Sequence, residues 1–180
     1  MRTKRIIMQI NNKSYLLVLC LMIGLLVCSC RKPVKFPKEP VLEFVSLTIN
    51  ESGTSVDEKA TLLLSFTDGD GNVGLDELFD YPPFDLGSAY YYNFFVTYYA
   101  KRNGEFVAFP EFEFNARLPR FLSTDNPEPL EGEIKRVLDI RNISLTAPDI
   151  DTIKFECWLV DRDFNESNHV FTNEIFVRNR

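Results

Sequence analysis

Two short segments of the chain share one spacing of oxygen-bearing side chains. Asp68, Asp70 and Asn72 alternate with Gly69 and Gly71, and Asp161, Asp163 and Asn165 repeat the Asp-x-Asp-x-Asn pattern near the end of the sequence. Oxygen donors alternating along a tightly curved loop can converge on one point, the arrangement a hard cation such as Ca²⁺ requires. An EF-hand is not predicted: counting from Asp68, Val73 stands at the turn glycine and Phe79 at the bidentate glutamate. Tight turns use the same residue types, with Asp and Asn capping their own backbone. Both readings, metal ligand and turn former, stand for all six residues.

A second cluster is aromatic. In Tyr90-Tyr91-Tyr92-Asn93-Phe94-Phe95-Val96-Thr97-Tyr98-Tyr99 the rings fall on both parities. On a strand, successive side chains point to opposite faces. Tyr90, Tyr92, Phe94, Val96 and Tyr98 can therefore line an interior, leaving Tyr91, Phe95 and Tyr99 to stack on a ligand such as a sugar ring. Strand propensity alone accounts for the same composition.

The catalytic inventory is thin. His169 is the only histidine, so a multi-histidine zinc site cannot be built, and its place beside Val170 reads as the start of a strand rather than as a base. Paired carboxylates could serve a glycosidase, but acidic residues are so numerous that no pair is distinguished. Cys157 falls among apolar neighbours and reads as core filler rather than nucleophile. An enzyme is not expected.

From Val41 onward the dominant signal is alternation of period two, in short runs separated by turn residues. It predicts strands near 41–50, 60–67, 90–100, 105–109, 116–121, 132–140, 152–161 and 169–177. Leu62, Leu64 and Phe66 form one inward face, and Ile153, Phe155, Cys157 and Leu159 another. Lys101-Arg102-Asn103-Gly104 is a hairpin signal of the Asn-Gly kind. Seven or eight short strands with almost no helical periodicity predict an all-β fold, an antiparallel immunoglobulin-like β-sandwich over 41–180. The connection from Thr67 to Ala89 is unusually long and carries six acidic residues, with no Lys or Arg between Lys59 and Lys101; long loops are disproportionately functional. In an immunoglobulin-like strand order this loop and the one carrying Asp161, Asp163 and Asn165 lie at the same end. Two acidic loops side by side would repel unless solvated or bridged by a cation, which favours Ca²⁺.

The first thirty residues set a destination. Arg2, Lys4, Arg5 and Lys13 precede an apolar run from Tyr15 to Val27, followed by Cys28-Ser29-Cys30. The run is 13 residues long, short of the roughly 18–20 that span a hydrocarbon core, so residues 1–29 read as a secretory signal peptide. Residues 30–40 follow as a proline-rich, basic tether of extended character. Removing the signal takes four of the 20 basic residues and none of the 26 acidic ones, leaving a formal net charge of −10, which argues against nucleic acid as a partner.

Three stretches carry a resemblance: Ser29-Cys30, Phe66-Thr67-Asp68-Gly69-Asp70-Gly71-Asn72-Val73-Gly74, and Leu159-Val160-Asp161 with Asn165-Glu166-Ser167-Asn168. Together they resemble uncharacterised lipoproteins of Gram-negative bacteria that carry an Ig-like domain. The resemblance implies cleavage before Cys30, lipidation of that cysteine, and anchoring in the cell envelope on the extracytoplasmic side, either facing the periplasm or at the surface. It also implies a glycine before Asn165; Phe164 stands there instead, which speaks against a close backbone approach at that point. The expected function is noncatalytic binding or structural support in the envelope, with an envelope protein or a glycan as partner, the glycan met by the exposed aromatic residues.

Overall fold

The computed structural model describes residues 35–50, 53, 57–76, 81–121, 128–140 and 151–178. The signal peptide, Cys30 and residues 31–34 of the tether lie outside them. The described chain forms two antiparallel sheets packed on one core. The first contains β1 (Val41–Asn50), β2 (Lys59–Asp68) and β5 (Leu130–Asp139) in the order β1-β2-β5. The second contains β3 (Phe94–Arg102), β4 (Glu105–Ala108), β6 (Thr152–Leu159) and β7 (Val170–Phe171) in the order β4-β3-β6-β7, with β8 (Ile175–Phe176) also paired to β6. This is a β-sandwich, as the alternation predicts.

The inward faces are those read from the sequence. Leu62, Leu64 and Phe66 of β2 meet Phe94, Val96 and Tyr98 of β3 and Ile153, Phe155, Cys157 and Leu159 of β6 in one buried cluster. In β1 the buried set begins with Leu42 and resumes with Leu47, a change of parity. The register with β2 slips between Phe44 and Ser46, leaving Val45 bulged and exposed. A bulge is the local cost of keeping both halves of an out-of-phase strand facing the core. Asn103 and Gly104 both take positive φ, 52° and 87°, the twist a two-residue hairpin needs, and β3 pairs with β4 across them.

Three predicted elements differ. The strand expected at 116–121 contributes only a bridge between Ala116 and Phe94, because side chains replace the ladder there: Asn93 Oδ1 accepts from Leu118 N at 2.6 Å and Asn115 Oδ1 from Val96 N at 3.0 Å. The strand expected at 169–177 is broken into β7 and β8, and between them the Thr172 hydroxyl accepts from Phe155 N at 3.0 Å. The aromatic strand starts at Phe94 rather than residue 90, since Tyr90 and Tyr91 instead donate their N–H groups to the carbonyls of Pro83 and Ser88 in the preceding loop.

Candidate functional site

The two Asp-x-Asp-x-Asn loops meet at one end of the sandwich. β2 ends at Asp68, whose side chain is fully buried. Its Oδ2 accepts from Val73 N at 2.9 Å and its Oδ1 from Asp70 N at 3.4 Å, so this carboxylate shapes the turn as an Asx motif does. Burial pushes its pKa up to about 6; the Val73 N–H opposes the rise and the adjacent Asp70 carboxylate adds to it. The tight path needs glycine twice. A Cβ on Gly69 would lie 2.4 Å from the Pro37 carbonyl oxygen, and one on Gly74 2.3 Å from that of Pro119.

The second loop turns on Asp161. Its Oδ1 accepts from the N–H groups of Asp163 and Asn165, each at 2.8 Å, and its Oδ2 from Asn165 Nδ2 at 2.8 Å. Burial raises the pKa of this carboxylate as well, those hydrogen bonds offsetting the effect in part. Contacts then cross between the loops. Asn72 Nδ2 donates to Asp163 Oδ2 at 3.1 Å, and the Arg162 guanidinium donates to the Gly74 carbonyl at 2.9 Å.

An aromatic layer closes one side of this pole. Phe164 adopts φ 66°, the left-handed region that costs a β-carbon-bearing residue roughly 1–2 kcal/mol. The backbone thus takes the glycine conformation without the glycine. Its ring stacks on Phe84 at 5.5 Å with 4° between planes and lies 4.9 Å from Tyr90, while the residue remains 47% exposed. Tyr81, 51% exposed, packs edge-on against Phe84. Arg117 ties the long loop together by donating to the carbonyls of Phe84 and Tyr91, both at 2.9 Å, and of Asp76 at 3.2 Å. Its guanidinium also lies 5.3 Å from the Tyr91 ring. Tyr91 is therefore a loop residue rather than a neighbour of Phe95 and Tyr99 on a strand.

Phe95 and Tyr99 do face outward from the second sheet, but their rings are engaged there. Phe95 stacks on Trp158 at 5.3 Å, and Trp158 stacks on His169 at 4.6 Å. The Tyr99 hydroxyl donates to Glu156 Oε2 at 2.7 Å, a bond that raises the phenol's pKa to about 12. His169 bridges Glu156 through Nδ1 and Glu166 through Nε2, both at 2.8 Å. The sequence pattern puts Trp158 on the outward parity of β6 and His169 just before β7, but it carries no sign of their stacking.

The six oxygen-bearing residues are thus brought to one pole in two different roles. Asp161 and Asn165 spend their side chains on their own turn, whereas Asp70 Oδ1 and Asn72 Oδ1 are buried without a hydrogen-bond partner. Among the described residues no three His, Cys, Asp or Glu side chains gather as a metal-binding group. Glu77 and Asp80 of the long loop lie outside those residues. The fold and this pole define a β-sandwich module with a built loop end. No family model, curated protein or solved structure matches the chain.

Proposed function

We propose that this chain is a lipid-anchored protein of the bacterial cell envelope, held by a lipid on Cys30, whose sandwich is a noncatalytic binding module that docks its partner at the loop pole. The observation that carries the reading is Phe164, a large residue kept in a strained backbone conformation and left half-exposed beside Tyr81 at the meeting of two loops. Strain of this kind concentrates at binding sites, and exposed aromatic residues are the usual anchors of interfaces. The strand order supports an immunoglobulin-like reading: β1-β2-β5 faces β4-β3-β6-β7, so the loops after the second and sixth strands share an end, as they do in binding domains of that architecture.

Two groups that could support chemistry are otherwise occupied. The Cys157 thiol is fully buried, with burial pushing its pKa up to about 12, and both nitrogens of His169 are held by carboxylates. A glycan is the second class of partner, favoured by the half-exposed rings of Tyr81 and Phe164 beside the pole's carboxylates. Photo-crosslinking in cells from a benzoylphenylalanine at position 164, with the exposed sheet position Val137 as control, tests the docking end. A glycan array with the full chain and its Phe164→Ala variant tests the second class. No crosslink above the Val137 control, together with no glycan lost on Phe164→Ala, would overturn the reading. Incorporation of an alkyne fatty acid that Cys30→Ala abolishes is the expected result for the anchor.

A further inference from the structure

We propose that Asp68, Asp70 and Asn72 form a binding site for a hard divalent cation of the Ca²⁺ class, which holds the loop after β2. The site concerns how that loop is held and stands whatever docks at the pole. Turn chemistry explains part of this cluster: both oxygens of Asp68 accept backbone N–H groups, and Asp161 does the same in the facing loop. Two oxygens of the first loop remain outside that account. Asp70 Oδ1 and Asn72 Oδ1 are both acceptors, both shut away from solvent and both without a donor.

Asn72 is only 9% exposed, and its carboxamide is not free to turn over. Its Nδ2 is committed to Asp163, so a flip would set its oxygen against that carboxylate, and Oδ1 stays the atom left without a partner. Buried acceptors are nearly always satisfied by a donor, an ordered water or an ion. Here the unmet acceptors accompany the fully buried Asp68 carboxylate and its neighbour Asp70, so the unmet demand is for positive charge as well as for a donor. One cation supplies both.

The chemistry of the donors selects the class. All three side chains offer oxygen, with neither sulfur nor imidazole among them, which disfavours zinc and the softer transition metals. Two carboxylates and one carboxamide leave further positions to main-chain carbonyls and water. Ca²⁺ accepts such mixed and irregular shells, whereas Mg²⁺ demands a near-ideal octahedron.

The test is thermal unfolding of the full chain in detergent, stripped with EDTA and titrated with CaCl₂, with MgCl₂ in parallel. The expected result is a saturable rise in Tm of about 5 °C or more at a large excess of Ca²⁺ over its dissociation constant, with a smaller rise for Mg²⁺. Asp70→Asn removes one of the site's two negative charges, on which affinity for a divalent cation depends, together with the repulsion on Asp68. It should melt at or above the wild type in EDTA and show no rise with CaCl₂. A wild-type Tm that stays constant across the titration overturns the site, as does an Asp70→Asn variant that keeps the whole rise. Crosslinking from position 164 reads the docking end independently, so either proposal can fail alone.

Discussion

The carboxamide of Asn168 faces the backbone of Leu42 as a neighbouring strand would. Its Oδ1 accepts from Leu42 N at 2.8 Å and its Nδ2 donates to the Leu42 carbonyl at 2.9 Å, joining the loop before β7 to the edge of β1 in the other sheet. Leu42 is 1% exposed, so its backbone groups have little access to water as a substitute. Asn168→Ala should destabilise the fold by about 2–6 kcal/mol, at roughly 1–3 kcal/mol for each of the two Leu42 backbone groups left unpaired. Asn168→Asp keeps the acceptor for Leu42 N but sets a carboxylate oxygen against the Leu42 carbonyl, an acceptor facing an acceptor, and should cost no less. Urea unfolding of both variants checks the order.

Tyr98 is fully buried among the rings of Phe109, Phe112, Phe114 and Phe155, and its hydroxyl has no hydrogen-bond partner. An unmet buried hydroxyl is a liability that the ring's packing outweighs. Tyr98→Phe should therefore stabilise the protein by about 1 kcal/mol, read as a higher urea midpoint with an unchanged slope.

Phe164 separates backbone strain from ring stacking. Phe164→Ala loses the contacts with Phe84 and Tyr90 but keeps a β-carbon at φ 66°, whereas Phe164→Gly loses the contacts and relieves the strain. Both variants should be less stable than the parent, with the alanine below the glycine by about 1 kcal/mol. Equal stabilities would remove strain from the account of the pole.

His169 makes stability depend on pH. Burial alone would lower the imidazole's pKa, but the bonds to Glu166 and Glu156 more than offset it, and the value in the folded protein lies above the ordinary 6.5. A raised basic group contributes its stability fully below its unfolded value and loses it as pH climbs through the folded value. Tm should thus fall as pH rises from about 6.5 through the folded pKa. Glu156 stays ionised over that range: burial pushes its pKa up, but the Tyr99 and His169 hydrogen bonds and the Lys154 charge bring it below its usual value. In His169→Gln the slope should flatten, and an unaltered slope would remove His169 as its source.

Much of the sandwich was legible because alternation is a local signal. Leu62-Leu64-Phe66 and Ile153-Phe155-Cys157-Leu159 announce their inward faces within a few residues, and Asn103-Gly104 announces its turn. The meeting of the two acidic loops followed from strand order alone. What stayed hidden is carried by side chains acting as backbone. Asn168 lies 126 positions from Leu42, and Asn93 and Asn115 take over where alternation predicts a strand at 116–121; none of these leaves a periodic trace. The bulge at Val45 shows only as a change of parity between Leu42 and Leu47. At the pole, the residue types marked the right loops but could not tell the turn formers Asp161 and Asn165 from Asp70 and Asn72, because that division depends on which oxygens find donors.

Gly69 donates its N–H to the Pro37 carbonyl at 2.7 Å, so the incoming chain is gripped at the acidic end of the sandwich before β1 begins. Under the proposed anchor, the leash between the lipidated cysteine and this grip is the six residues 31–36, which reach at most about 20–22 Å whatever path they take. The gripped end of the sandwich could then lie no farther than that from the anchored cysteine, between about two and three screening lengths at physiological salt. Energy transfer from a dye at position 164 to a headgroup acceptor would measure that gap, and a separation well beyond the leash would exclude it. A bilayer of net negative charge concentrates divalent cations at its surface and repels bare carboxylates, so lipid composition would set both the local supply of Ca²⁺ and the cost of approach without it.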